Sequence, residues 1–117
     1  MNDEEWFELS AEGKAHAQGW PVGPSNQRFL VRRGSTAMKH GSPNVKRDAE
    51  LRERLVAEGV LAPDRNPELL RFAHDYVFES ASAAGGIVKD GNCSGPQVWV
   101  RSRTGETLKD WREARIR

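Results

Sequence analysis

Only one cysteine, Cys93, stands in the 117 residues. No disulfide can close within the chain, and a reducing compartment suits it. No apolar run approaches the ~20 residues that a membrane helix needs. The opening Met1-Asn2-Asp3-Glu4-Glu5 is acidic, whereas a signal peptide opens basic and then turns apolar. The expectation is a cytoplasmic protein. Histidine is scarce too: His16, His40 and His74 lie far apart, and no pair has the i,i+3 or i,i+4 spacing of a metal site. No metal and no cofactor are therefore expected. The chain has no Gly-x-Ser-x-Gly elbow, Walker loop or dinucleotide fingerprint. Cys93 sits in a Gly-rich loop without an identifiable base. With no catalytic constellation in sight, the expectation is a protein that is not an enzyme.

Hydrophobic residues make up 37% of the chain, and 11 glycines add to them, which matches ordinary soluble domains and argues against disorder. The length fits a single domain spanning residues 1–117. Net charge is only +1, but it is unevenly spread. Residues 1–12 carry Asp3, Glu4, Glu5, Glu8 and Glu12 and no Lys or Arg. Residues 28–47 carry Arg28, Arg32, Arg33, Lys39, Lys46 and Arg47, plus His40, without an acid. Such a stretch attracts phosphates or acidic partners. It can equally be a solvated face balanced in space by residues 1–12.

Periodicity divides the chain into short elements. Trp6 to Leu9 reads as a first strand. Ala11 to Trp20 is small and polar, and Pro21-Val22-Gly23-Pro24-Ser25 punctuates a loop or a poorly regular strand. Arg28 to Arg33 reads as a strand stopped by Gly34-Ser35, with Phe29 and Val31 on one face and Arg28, Leu30 and Arg32 on the other. Ser42-Pro43 opens a helix to about Glu58, with Leu51, Leu55 and Val56 beside Ala49 as its core stripe and Gly59 as its cap. Asp48 with Arg52, and Glu50 with Arg54, have i,i+4 spacing in the favourable order.

After the loop Pro63–Pro67, Leu69 to Phe78 contains a second clear strand, with His74 on its aromatic face. Ser80 caps a short helix that Gly85-Gly86 weakens. Gln97 to Arg103 reads as a third strand, and Thr107 to about Arg115 as a last helix with Leu108, Trp111 and Arg112 inward. Strands outside a strict βαβ rhythm predict an α+β fold: a small, mostly antiparallel sheet with two to three helices packed on it.

Two features point to binding. On the third strand Trp99, Arg101 and Arg103 alternate onto one face, and an aromatic ring among guanidinium groups can stack bases and hold phosphates. The alternative is that Trp99 packs under the short helix. At the Ser80 helix, free N–H groups with the Ser80 and Ser82 hydroxyls could hold a phosphate. The alternative is simple capping.

These residues also fall into a familiar series. Arg28-Phe29-Leu30-Val31-Arg32-Arg33-Gly34-Ser35-Thr36-Ala37 resembles the opening motif of the family catalogued as domain of unknown function 4357 (DUF4357). Leu51-Arg52-Glu53-Arg54-Leu55 with Gly59-Val60-Leu61, then Asp75-Tyr76-Val77-Phe78-Glu79-Ser80-Ala81-Ser82-Ala83-Ala84, follow in the family's order. Gly95-Pro96-Gln97-Val98-Trp99 and Gly105-Glu106-Thr107-Leu108 close it, and Trp6 to Ala17 is similar to its lead-in. The chain departs from the pattern at Ala81, where proline is usual, at Gly85-Gly86-Ile87-Val88, and at Ser94-Gly95, where Asn-Gly is usual.

Members of the family commonly sit behind GIY-YIG nuclease domains or beside restriction–modification genes. Its second half is similar to the RAMA module, thought to read DNA or modified DNA. The resemblance implies an accessory module that binds DNA, with or without a modified base, beside a nuclease or other protein partner. Arg28, Arg32, Arg33, Lys39, Lys46 and Arg47 are then expected on phosphates, and Trp99, Arg101, Arg103, Ser80 and Ser82 nearer the bases or the helix-end phosphate. A protein-interaction module, pairing through the acidic 1–12 and basic 28–47 stretches, is the other reading.

Overall fold

A computed structural model describes residues 6–40 and 48–116. Its first sheet has five strands in the order β7-β3-β2-β1-β8. These are β1 (Phe7–Ala11), β2 (Ala15–Val22), β3 (Arg28–Val31), β7 (Tyr76–Phe78) and β8 (Val100–Arg101), and every pairing is antiparallel. A second sheet holds β4 (Thr36–Met38), β6 (Leu69–Phe72) and β5 (Leu61–Pro63) in the order β4-β6-β5, also antiparallel. Four helices complete the α+β fold: α1 (Ala49–Ala57), α2 (Ala81–Lys89), α3 (Gly95–Val98) and α4 (Leu108–Ile116).

Helix α2 lies across β1, β2, β3 and β4, and the core fills the space beneath it. Phe7, Phe29, Phe72, Phe78, Leu55, Ile87, Trp99 and Leu108 are all essentially inaccessible to solvent.

The stretch after Ala11, expected as a loop or a poorly regular strand, is the eight-residue β2. Its inward positions are Ala15, Ala17 and Gly19, all buried. They carry little hydrophobic signal, yet packing requires small residues there. A Cβ at Gly19 would run into the Phe29 ring.

Two expected strands are also different. Leu69 to Phe78 is two strands in two sheets, because the chain turns at residues 73–75 and satisfies its backbone elsewhere. The Ala73 N–H donates to the Val60 carbonyl at 2.8 Å, and Asp75 Oδ1 accepts from the Arg33 N–H at 2.6 Å. His74 is exposed in that turn rather than aligned on a strand face. In the expected strand Gln97–Arg103, only Val100–Arg101 pairs as strand. Pro96 stands at a first helical turn, and Trp99 N–H closes that turn on the Gly95 carbonyl at 3.1 Å.

Helix α1 ends as predicted. Gly59, at φ 81°, lets its own N–H reach the Val56 carbonyl (3.1 Å) while Val60 N–H reaches that of Leu55 (2.9 Å), the paired bonds of a Schellman cap. The expected start at Ser42-Pro43 lies outside the described residues. Leu55 is buried and Leu51 half-buried, but Val56 is 47% exposed and belongs to the outer surface. Arg52 takes an inward place instead. Its Nε lies 3.3 Å from Asp90 Oδ1, and Nη2 donates to the Met38 and Ile87 carbonyls. Burial pushes its pKa down and Asp90 opposes that shift. One guanidinium thus ties α1 to β4 and to the end of α2.

The two sheets are joined by hydroxyl groups. Strand β3 pairs with β2 only over Gly19 to Val22. Past that point Ser35 Oγ accepts from the Gln18 N–H at 3.0 Å, and Thr36 Oγ1 accepts from the His16 N–H at 2.8 Å. The main chain of the same segment serves the second sheet: Gly34 N–H donates to the Phe72 carbonyl, and Phe72 N–H to that of Ser35. Ser35 is only 5% exposed, so Ser35→Ala strands a half-buried amide. The expected cost is about 1–3 kcal/mol, read as a lower urea midpoint at unchanged m-value. An unchanged midpoint would show that the hydroxyl does not hold the sheets.

Candidate functional site

The Ser-x-Ser-Ala-Ala run and the Trp99 segment meet, and they meet as architecture. Ser80 adopts an extended conformation (φ −154°, ψ 162°) and its Oγ accepts from the Ala83 N–H at 3.0 Å, capping α2. Ser82 Oγ accepts from the Gly95 N–H at 2.9 Å. Gly95 presses so closely on α2 that a Cβ would collide with the Ala81 carbonyl carbon and the Ser82 nitrogen. The Trp99 indole is fully buried, donates Nε1–H to the Ala81 carbonyl at 3.0 Å and packs on Phe29 at a centroid distance of 4.5 Å. Trp99 therefore presents no ring to a base, which corrects that expectation. Only Arg101 of the supposed Trp99, Arg101, Arg103 stripe lies in a strand.

The cations separate by strand order. Arg28 and Arg32 project from the same side of β3 and its end, away from the buried Phe29 and Val31. Arg32 Nη1 donates to Gln18 Oε1 at 3.0 Å, and its guanidinium carbon stands 4.9 Å from the Trp6 ring centroid. Arg33 follows, exposed. Lys39, also exposed, belongs to the end of the second sheet, where its N–H donates to the Glu68 carbonyl. Lys46 and Arg47 lie outside the described residues. Arg101 is at the far edge, 3.6 Å from Glu106 and 5.8 Å from the Trp20 ring, with Arg103 in the exposed turn beyond. Arg28, Arg32 and Arg33 share β3 and its end, with Arg28 and Arg32 about 13 Å apart along the chain, while Lys39 lies at the end of the second sheet and Arg101 and Arg103 at the far edge of the first.

A hydrogen-bonded trio spans β1 and β2. His16 Nε2 lies 2.6 Å from Glu8 Oε1, and His16 Nδ1 lies 3.1 Å from Ser10 Oγ. The order is carboxylate, imidazole, hydroxyl. The imidazole is half exposed on an open sheet face, and none of the three residues lines the cavity described below. The three link β1 to β2 across the paired residues Ser10 and His16. Among the described residues, no group of three or more His, Cys, Asp or Glu could hold a metal ion.

A cavity of about 740 Å³ opens where the turn Pro24–Asn26, the amino end of α2 and α4 converge. Ser25, Asn26 and Gln27 form one wall, Glu79 to Ser82 another, and Trp111, Arg112 and Arg115 a third, with Pro96. Ser25 and Asn26 both have left-handed backbone (φ 59° and 54°). That turn brings the Asn26 carbonyl to 2.7 Å from Arg112 Nη2. Trp111 is wedged edge-on against Phe7 (5.8 Å) and Trp20 (5.5 Å), and Arg115 lies on its ring at 4.5 Å.

Arg112 Nε is buried without a hydrogen-bond partner, and burial pushes the pKa of this guanidinium down. Arg112 was expected to face inward; Arg115 was missed as a site residue. The signal was present: Leu108, Trp111, Arg112 and Arg115 stand at i, i+3, i+4 and i+7, one stripe of a helix.

Residues 5–112 match the family described as domain of unknown function (DUF4357). The chain belongs to this family. No curated protein and no solved structure gives a match. The DUF4357 resemblance seen in the sequence rests on residues that now have physical roles. Gly34-Ser35-Thr36 joins the sheets, Ser80 and Ser82 set α2 and its neighbour, and Gly95 with Trp99 seats α3 beneath it.

Those roles make a prediction. Ser80→Ala removes a cap and is expected to cost about 1 kcal/mol. Gly95→Ala forces a methyl into backbone that cannot give way, and is expected to cost about 1–3 kcal/mol or more. Denaturant unfolding of the two variants measures both, and a Gly95→Ala protein as stable as the parent would contradict the close approach.

Proposed function

We propose that this DUF4357 chain is an accessory module that binds nucleic acid, DNA in the first instance, and performs no chemistry of its own. The observation that carries this reading is the solvent side of β3. It offers Arg28 and Arg32, followed by the exposed Arg33, with the Trp6 ring beneath the Arg32 guanidinium. Guanidinium groups hold phosphates in a fixed fork geometry, and their spacing along a strand follows a backbone rather than a single ion. In the sequence these arginines open a run, residues 28–47, that contains no acid. Any cleavage or modification of the DNA belongs, on this reading, to a nuclease or other protein alongside.

Fluorescence anisotropy with a labelled DNA duplex tests it, with and without N6-methyladenine, at two salt concentrations. Binding is expected to weaken steeply with salt, because each neutralised phosphate releases counterion. Arg28→Ala with Arg33→Ala, both exposed, is expected to flatten the slope of log K against log salt by about 2. A slope unchanged by the double variant removes these residues from the interface. No binding to either duplex at low salt overturns the reading in favour of a protein partner.

A further inference from the structure

The cavity beside α4 holds an imbalance of charge. Arg112 carries five N–H donors, and the structure gives it one hydrogen bond, to the Asn26 carbonyl, and no carboxylate among the described residues. Its Nε is shut away from water without a partner. Holding a cation partly out of water without a counter-ion is unfavourable, and an anion entering beside it relieves that cost. Arg115 stands one helical turn further on, on the same wall, and the Trp111 ring fixes its position. Two guanidinium groups so placed suit a phosphate, which accepts from more than one donor.

The rest of the lining narrows the class of ligand. Glu79 shares the cavity, and its carboxylate disfavours a bare phosphate ion while accepting from N–H or O–H groups. Gln27 can donate and accept. The volume, about 740 Å³, is that of a small-molecule site rather than of a single ion. A phosphate ester whose other end carries hydroxyl or amide groups meets all of these.

We infer that this cavity binds a nucleotide, with its phosphate on Arg112 and Arg115 and its sugar or base donors on Glu79 and Gln27. The choice of a nucleotide over another phosphorylated ring rests on the nucleic-acid reading above; the anion site itself does not. The nucleotide can be free or can be the phosphorylated end of a strand.

Heteronuclear NMR of the full chain tests this, with deoxyadenosine 5′-monophosphate, deoxyadenosine and inorganic phosphate as probes. The monophosphate is expected to shift the amides of Gln27, Ser80 and Ser82 and the Trp111 indole. Nucleoside and inorganic phosphate are expected to bind about tenfold or more weakly, the loss of one charged or polar anchor. Arg115→Gln is expected to lower nucleotide affinity by about tenfold. Arg112→Gln is expected to do the same, but it also frees the Asn26 carbonyl, so its thermal unfolding is compared with the parent. Because Arg115 is exposed, its variant keeps the test clear of folding defects.

No shifts at millimolar nucleotide, equal affinity for inorganic phosphate, or an unchanged Arg115→Gln protein each overturn the inference. A 5′-phosphorylated single strand that binds more tightly than its unphosphorylated counterpart and the mononucleotide identifies a strand end as the source. Equal affinity for the phosphorylated strand and the mononucleotide identifies the free nucleotide. Duplex binding without nucleotide binding removes this site and leaves the nucleic-acid reading standing. Nucleotide binding without duplex binding removes that reading and leaves the cavity to a free nucleotide.

Discussion

Strand β2 has more backbone to satisfy than its sheet has strand to offer. On one flank β1 accompanies it from Ala15 to Gly19, and on the other β3 takes up only Gly19 to Val22. The amides of His16 and Gln18 would be left without partners. Thr36 and Ser35 supply them from side chains, while the main chain of the same segment bonds to Phe72. The Gln18 amide is half-buried and needs a partner, so this junction helps to seat the second sheet. The second sheet in turn sets Met38, whose carbonyl accepts from Arg52, and Arg52 reaches Asp90 at the end of α2. The position of α2, and with it one wall of the cavity, thus follows from two hydroxyl groups.

Much of this is legible in the sequence. The α2 cap at Ser80, the Schellman end at Gly59, the β3 alternation and the inward stripe of α4 all follow from local rules that depend on a few neighbouring residues. What was illegible was set by partners distant in sequence. The inner face of β2 is small because Phe29 and α2 approach it, and nothing within residues 15–19 announces that. Residues 69–78 carry one continuous alternation, yet the Val60 carbonyl takes the Ala73 N–H and the Asp75 carboxylate takes the Arg33 N–H between its halves.

The candidate site was legible in a similar way, residue by residue rather than as a place. Arg28, Arg32 and Arg33 stand out as cations and lie on β3 and just past its end. Trp99 and the two serines stood out because the fold needs them, and the same chemistry that suggests ligand contact serves internal contact equally well. Arg112 and Arg115 are less legible, because arginines on a helix usually lie in water. The turn at Ser25 and Asn26 and the amino end of α2, both remote in sequence, make the walls opposite them.

The strands at the sheet margins have a further consequence. β4, β5 and β7 have three residues each and β8 has two, and β5 ends in Pro63. A three-residue edge exposes about 10 Å of ladder, too little for another strand to add in stable register. Proteins whose edges are long and flat join to one another and precipitate. A domain trimmed in this manner can be joined to unrelated neighbours, or held at high local concentration on a polymer, without polymerising itself.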